Sequence, residues 1–124
     1  MAAVINWAGA LEQVAGDEEF LNEVLSDLLT ESDTAEADIA AAIEAKNFDA
    51  VMKAAHRIKG SASYLCCDQL RDISSKLQNL GHSGIGITDT AAVDALLVTV
   101  TESFDTFKNN LSVLRTEIKT RLEK

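Results

Sequence analysis

The sequence contains no proline, only six glycines and few aromatic residues, which make up 5% of it. Because proline interrupts helices, its absence leaves 124 residues in which helices can run for many turns. No apolar stretch approaches the roughly 20 residues that a membrane-spanning helix needs. Basic residues are also scarce, with 11 against 20 acidic ones. This net charge of −9 argues against nucleic-acid binding, although it is compatible with a small basic patch.

Cysteines and targeting signals are equally few. The two cysteines, Cys66 and Cys67, are adjacent, a spacing that seldom forms a disulfide, so a reducing compartment is expected. The N-terminal residues lack a basic segment followed by an apolar one, so no secretory signal is evident. We therefore expect a cytoplasmic protein, with the nucleus as a further location if the source is eukaryotic.

Apolar residues recur at helical spacing along nearly the whole chain, and no stretch alternates as a strand would. The pattern predicts a short first helix over about residues 4–14, with Val4, Ala8, Leu11 and Ala15 on its apolar face. Four longer helices follow, with Asp68 as the N-cap of the third of them, and the segment 81–86 that contains His82 is expected to be a loop. These four helices are expected over residues 17–45, 48–65, 68–80 and from Thr88 or Asp89 to the C-terminus.

Short connections between long amphipathic helices favour antiparallel neighbours. The predicted fold is therefore all-α: an up-and-down antiparallel four-helix bundle with a short additional N-terminal helix. We expect residues 1–124 to form a single domain, and a monomer, since the apolar stripes suffice for one core. The two long helices should overhang the others, and the N-terminal helix is the natural cover for the excess.

His56 lies in the only net-positive stretch of the chain. Residues 46–76 hold six bases and three acids, whereas residues 1–45 hold eleven acids and no base. Counted at about 100° per residue, His56 points away from the apolar stripe of its helix, so its side chain should face solvent. An exposed helical histidine is most often inert, so an inert surface residue is the alternative to a functional role for His56.

The glycine at position 60 favours a functional role for His56. A glycine inside a helix destabilises it by about 0.8–1 kcal/mol relative to alanine, yet the apolar stripe continues past Gly60 and predicts that the helix does too. A side chain four residues after His56 would lean over the imidazole, so Gly60 leaves the space beside the ring open. Lys59 places a cation nearby, which favours the neutral, nucleophilic ring. The arrangement suits a histidine that temporarily carries an anion such as a phosphoryl group.

The motif Ala55-His56-x-x-Lys59-Gly60-Ser61 resembles that of the histidine-containing phosphotransfer (HPt) domain family. Two flanking segments, Val14 to Leu21 and Ala45 to Asp49, are similar to that family's helix junctions, so the resemblance spans roughly residues 5–81. It implies a phosphorelay carrier without ATP-binding machinery or a bound cofactor. His56 would accept a phosphoryl group from a receiver-domain aspartate and pass it to another. The implied partners are receiver domains of response regulators or hybrid histidine kinases.

The resemblance also assigns roles to other residues. Lys59 and Gly60 become the electrostatic and steric neighbours of the phosphorylated ring, and Gln78 becomes a hydrogen-bond partner of the imidazole from the next helix. A solvated glutamine is the alternative for Gln78. Met52, one turn before His56, is our first candidate for partner docking, with Arg57 and Ser63 as further ones.

Cys66 and Cys67 depart from the family pattern, in which a glycine often follows about ten residues after the histidine. A turn that needs a positive φ would be strained with cysteine in that position. This departure concerns the junction between two helices and leaves the role of His56 unchanged.

Two other functional classes are alternatives to the phosphorelay carrier. An interaction-only bundle would dock signalling partners without carrying phosphate, with the acidic residues 1–45 meeting a basic partner. A di-iron or haem bundle is disfavoured, because Lys53 and Asn79 occupy the positions where Glu would precede His56 and His82, and no Cys-x-x-Cys exists. We therefore expect no metal site.

Overall fold

The computed structural model describes residues 5–123, which form five α-helices and no β-strand. Three of the four long helices begin and end within one or two residues of the predicted bounds, and the fourth helix of the chain, α4, is longer than predicted. Val4, predicted for the apolar face of the first helix, lies outside the described residues. The helices are α1 (Trp7–Gln13), α2 (Glu18–Glu44), α3 (Phe48–Tyr64), α4 (Asp68–Gly84) and α5 (Thr90–Leu122).

Short polar side chains start four of the helices. Asn6, Asp17, Asn47 and Asp89 each precede a helix and accept a hydrogen bond from the backbone N–H three residues later, which satisfies one of the free donors at each N-terminus. The prediction for α4 is wrong in this respect. Its N-cap is Cys67, which makes no capping bond, and Asp68 is the first helical residue.

Three helices end on a non-glycine residue with left-handed backbone. Ala15, Lys46 and Cys66 have φ values of 55°, 56° and 56°. In each case the next residue donates its N–H to the carbonyl five residues earlier, as in the 2.8 Å bond from Cys67 to Ala62, which is the Schellman arrangement. The left-handed backbone costs about 1–2 kcal/mol for a residue with a Cβ. The turn at Cys66 therefore carries the strain that the sequence predicts.

Helices α2 to α5 form a closed ring, in which each helix packs against the next and α5 packs back against α2. Side-chain pairs show that α2 and α3 are antiparallel, because Glu31 accepts a hydrogen bond from Ser61 while Asp38 accepts one from Arg57. The predicted antiparallel four-helix bundle is confirmed. Its core consists of buried apolar side chains from all four helices, including Leu25, Ile39, Ile58, Leu77, Phe107 and Leu114.

Helix α1 covers one end of this bundle, where α3 turns into α4. The Asn6 N–H donates to the Cys66 carbonyl at 3.1 Å. Gly9 leaves room for the Cys66 side chain, since a Cβ on Gly9 would lie 2.9 Å from Sγ. At the end of α5, the Arg121 guanidinium lies over the Trp7 ring, 5.2 Å from its centroid. Helix α1 thus lies over the ends of α3 and α5.

The face of α1 that packs inward differs from the predicted one. Ala10 and Val14 are buried, whereas Ala8 and Ala15 are exposed and Leu11 is half-buried. The helix has only seven residues. Two turns contain too few apolar positions for their spacing to determine the inward face, and the contact with Cys66 determines it instead.

Helix α4 continues through two glycines that the sequence places in a loop. Gly81 and Gly84 are buried within the last turns of α4, and His82 lies exposed between them. A Cβ on Gly81 would lie 2.7 Å from the Met52 backbone nitrogen, and a Cβ on Gly84 would lie 2.2 Å from the Phe48 ring. These glycines therefore bring α4 unusually close to α3, and the predicted loop was wrong because a glycine can serve close packing as well as a turn.

We expect Gly81→Ala to lower the free energy of unfolding by about 1–3 kcal/mol, because its methyl group would collide with the backbone of α3. Gly60→Ala is the matched control, since Gly60 is also helical but a Cβ there meets no atom within 4 Å. That substitution should raise stability by about 0.8–1 kcal/mol. Urea unfolding of both variants checks the prediction, and equal effects would contradict the close approach of α3 and α4.

Candidate functional site

His56 lies on the exposed side of α3. Val51, Ala55 and Ile58 on the opposite side are buried in the core, while His56 is exposed, as its helical phase predicts. Within residues 5–123 the His56 side chain forms no hydrogen bond or ion pair. The imidazole is therefore accessible to a partner protein.

Gly60 leaves the surface beside His56 open. Helix α3 runs through Gly60 as far as Tyr64, so this glycine is an interior residue and does not end the helix. Outside the helix's own backbone, a Cβ at this position would have no heavy atom within 4 Å. Gly60 thus differs from Gly81, because it fills no packing requirement of the bundle.

Lys59 is the cation on α3 that forms no ion pair with the described part of the chain. Lys53 pairs with Asp49 at 2.8 Å and Arg57 pairs with Asp38 at 3.2 Å. Lys59 is half-buried, and among the described residues its ammonium has no carboxylate partner. Its position three residues after His56 places it on the neighbouring turn of the same helix surface.

Gln78 on α4 lies nearly level with His56. The contact between Gly81 and the backbone of Met52 fixes the register of the two antiparallel helices. Gln78 is three residues before Gly81 and His56 is four after Met52, so both lie about 5 Å from that contact along the helix axes. The Gln78 Oε1 atom is buried and has no hydrogen-bond partner within the described chain. This amide is half-buried and not the freely solvated glutamine of the alternative reading.

The three docking candidates lie in different surroundings. Met52 is half-buried beside α4, on the same side of α3 as His56. Ser63 donates its hydroxyl to the Lys59 carbonyl at 2.9 Å, a bond within its own helix. Arg57 lies on the other side of α3, where its ion pair with Asp38 joins α3 to α2. The structure therefore brings Met52 close to His56 and turns Arg57 towards α2.

Sequence analysis missed the surface on the α2 side of Gly60. Tyr64, one turn after Gly60, is 41% exposed. Beside it lies a cavity of about 280 Å³ between α2 and α3, bounded by apolar side chains such as Val24 and Leu28 and by Gly60 itself. The exposed helical phase of Tyr64 was a signal in the sequence. Its proximity to α2 depends on how the helices pack.

The remaining titratable clusters give no sign of a metal or thiol site. In the described part of the chain, no group of three or more His, Cys, Asp or Glu side chains could hold a metal ion. Burial raises the pKa of the Cys67 thiol to about 12, so this thiol is protonated at neutral pH. No helix among residues 5–123 combines the length and the apolar character that crossing a membrane requires.

One of the comparisons with known proteins identifies a family. The model of the Hpt domain family matches residues 23–120 of the chain. No curated protein sequence matches it. The structure is similar to that of the yeast phosphorelay protein YPD1, with a TM-score of 0.82 at 16% identity, covering 98% of this chain and 96% of YPD1.

Two further solved structures are similar. A complex of Saccharomyces cerevisiae Ypd1 with the receiver domain of its downstream response regulator Ssk1 contains a chain with a TM-score of 0.81 and 17% identity, covering 100% of this chain and 97% of that one. Histidine-containing phosphotransfer protein B from Pseudomonas aeruginosa has a TM-score of 0.67 and 17% identity, covering 97% of this chain and 98% of its own. At these identities the likeness concerns the fold.

Proposed function

Because the chain belongs to the Hpt family and is thus a phosphorelay carrier, we propose that His56 is the residue that carries the phosphoryl group. One observation supports this assignment above the others: His56 is exposed on α3 beside a glycine whose missing side chain leaves the approach open. His82 is also exposed, but it lies between two buried glycines at the end of α4. Helix α4 ends two residues after His82, so no helical position four residues later adjoins the His82 ring.

The proposed reaction moves a phosphoryl group between a carboxylate and the imidazole. The lone pair of a neutral ring nitrogen of His56 attacks the phosphorus of a receiver's aspartyl phosphate and forms an N–P bond. The P–O bond to the aspartate breaks, and its electron pair returns to the carboxylate. The reverse reaction passes the group to the aspartate of a second receiver. The chain needs no nucleotide for either step, so we propose a carrier without ATP-dependent kinase activity.

Lys59 and Gln78 assist in this proposal without forming covalent bonds. No carboxylate among residues 5–123 pairs with the Lys59 ammonium, so it can approach the phosphoryl oxygens and offset their charge of about −1.5 to −2. The Gln78 amide lies level with His56 and can hydrogen-bond the ring, which would orient the imidazole. Receiver domains are the proposed partners, as in the complex of Ypd1 with the Ssk1 receiver domain.

Docking requires apolar surface next to His56, and two patches are available. Met52 provides one on the α4 side, and Tyr64 provides the other on the α2 side, beside Gly60. Ser63 and Arg57 remain candidates at the edge of this surface, although the ion pair of Arg57 with Asp38 would have to rearrange before Arg57 could bind a partner.

Incubation with a phosphorylated receiver domain should label the wild-type chain with acid-labile, base-stable phosphate. We expect His56→Gln to abolish the label and His82→Gln to retain it, because His56 lies one helical turn before a glycine that leaves open space within the helix, whereas α4 ends two residues after His82. Label transfer on a gel measures both. A wild-type chain that binds receivers but never accepts phosphate would instead favour the interaction-only bundle.

Lys59→Ala should slow transfer to His56 or shorten the lifetime of the phosphohistidine by about 10-fold, since one charge-assisted contact to the phosphoryl group is lost. The chain should stay folded, because Lys59 has no partner within the bundle. Lys53→Ala is the control, as it removes a cation from the same helix. Rapid-quench kinetics on both variants test the role of Lys59, and unchanged rates in Lys59→Ala would show that this cation is incidental.

Gly60→Gln should fold at least as stably as the wild type, because helix propensity rises and a Cβ at this exposed position meets no atom within 4 Å. Transfer from a receiver domain should nevertheless fall by about 100-fold, since the side chain would displace the docked partner. Phosphorylation of His56 by phosphoramidate, a small donor, should persist. Normal transfer from the receiver would remove the steric role of Gly60.

A further inference from the structure

An apolar groove runs between α2 and α3 on the side of Gly60 that faces away from α4. Two cavities of about 280 Å³ and 260 Å³ form it, and both border on Glu31. Gly60 lies at its edge, so the groove is continuous with the surface around His56. We call it the α2–α3 groove.

The part of this groove next to Gly60 carries uncompensated negative charge, whereas its other cavity holds the ion pair of Arg57 with Asp38. Helix α2 carries nine acidic residues and no basic one. Four of these acids, Glu18, Asp33, Glu36 and Asp38, pair with arginines of α3 or α5. Asp27 has no hydrogen bond or ion pair within residues 5–123, and Glu31 contacts only the Ser61 hydroxyl. Both carboxylates border the cavity next to Gly60 without a cation.

We propose that the α2–α3 groove selects receiver domains whose docking segment presents a lysine or arginine among apolar residues. Such a side chain can lay its methylene stem along Val24 and Leu28 and bring its charged head to Asp27 and Glu31. This inference rests on the proposed function, since it names the kind of partner that the same site accepts.

The charge distribution around His56 supports a basic partner and a defined orientation. Asp27 and Glu31 border the cavity on the α2 side of Gly60, whereas the helical phase of Lys59 directs it to the side of His56 on which Met52 lies, towards α4. A docking segment that is basic on one side therefore meets α2 with that side, and it leaves the anionic aspartyl phosphate of the receiver near Lys59. A reversed orientation would place like charges together at both edges, and such contacts are unfavourable.

Neutralising the groove tests this inference in the transfer assay. The double variant Asp27→Asn/Glu31→Gln removes two charges and keeps an acceptor for Ser61. We compare it with Glu44→Gln/Glu102→Gln, which removes the same charge at two exposed acids that lie outside the groove and form no ion pair in the described chain. The probe is the phosphorylated receiver domain that labels the wild-type chain fastest.

At low salt, the groove variant should accept phosphate from this receiver about 10-fold more slowly than the control variant. The difference in rate between the two variants should shrink at about 1 M salt, because the Debye screening length is then only about 3 Å. Both variants should accept phosphate from phosphoramidate at the wild-type rate, which shows that His56 is intact.

Equal receiver rates in the two double variants would overturn the inference and leave the carrier function standing. A wild-type dimer that only the groove substitutions dissociate would also overturn it, because a second copy would then occupy the groove. Failure of the wild-type chain to accept phosphate from any receiver would instead remove the proposed function, and the inference with it.

Discussion

The close approach of α3 and α4 at Gly81 is the constraint on which the site depends. Because the Met52 backbone nitrogen lies 2.7 Å from the place of a Cβ on Gly81, this close approach is possible only in a register that puts glycine here. That register places Gln78 level with His56 and directs the apolar face of α3 into the core. His56 is then left on the exposed side, where a partner can reach it.

Two glycines inside helices thus serve opposite purposes. Gly81 is needed because the neighbouring helix occupies the space of its side chain, whereas nothing in the bundle occupies the space at Gly60. A residue that lowers helix stability without improving packing is expected where an external partner requires the space. The free ammonium of Lys59 and the unpaired Asp27 fit this view, since their partners would arrive with the receiver domain.

Much of the fold followed from the spacing of apolar residues, and the resemblance to the Hpt family is confirmed. In a long helix the spacing of apolar residues repeats over many turns, which is why the bounds of α2, α3 and α5 were predicted closely. The inward face of α1 and the end of α4 were not predicted correctly. A contact with Cys66 determines the inward face of α1, and close packing at Gly81 determines where α4 ends. For the site, helical phase predicted the exposure of His56 and the open space at Gly60. The ion pair of Arg57 and the groove beside Tyr64 depend on α2, which no pattern within α3 reveals.

The most direct test of the account observes the phosphorylated chain itself. After transfer from a receiver domain, ³¹P and long-range ¹H–¹⁵N NMR spectra report which side-chain nitrogen carries phosphorus. The account predicts a single phosphoramidate signal, with altered resonances for the ring nitrogens of His56 and unchanged ones for His82. Phosphorus on His82 or on a carboxylate, with an unaltered His56 ring, would contradict it.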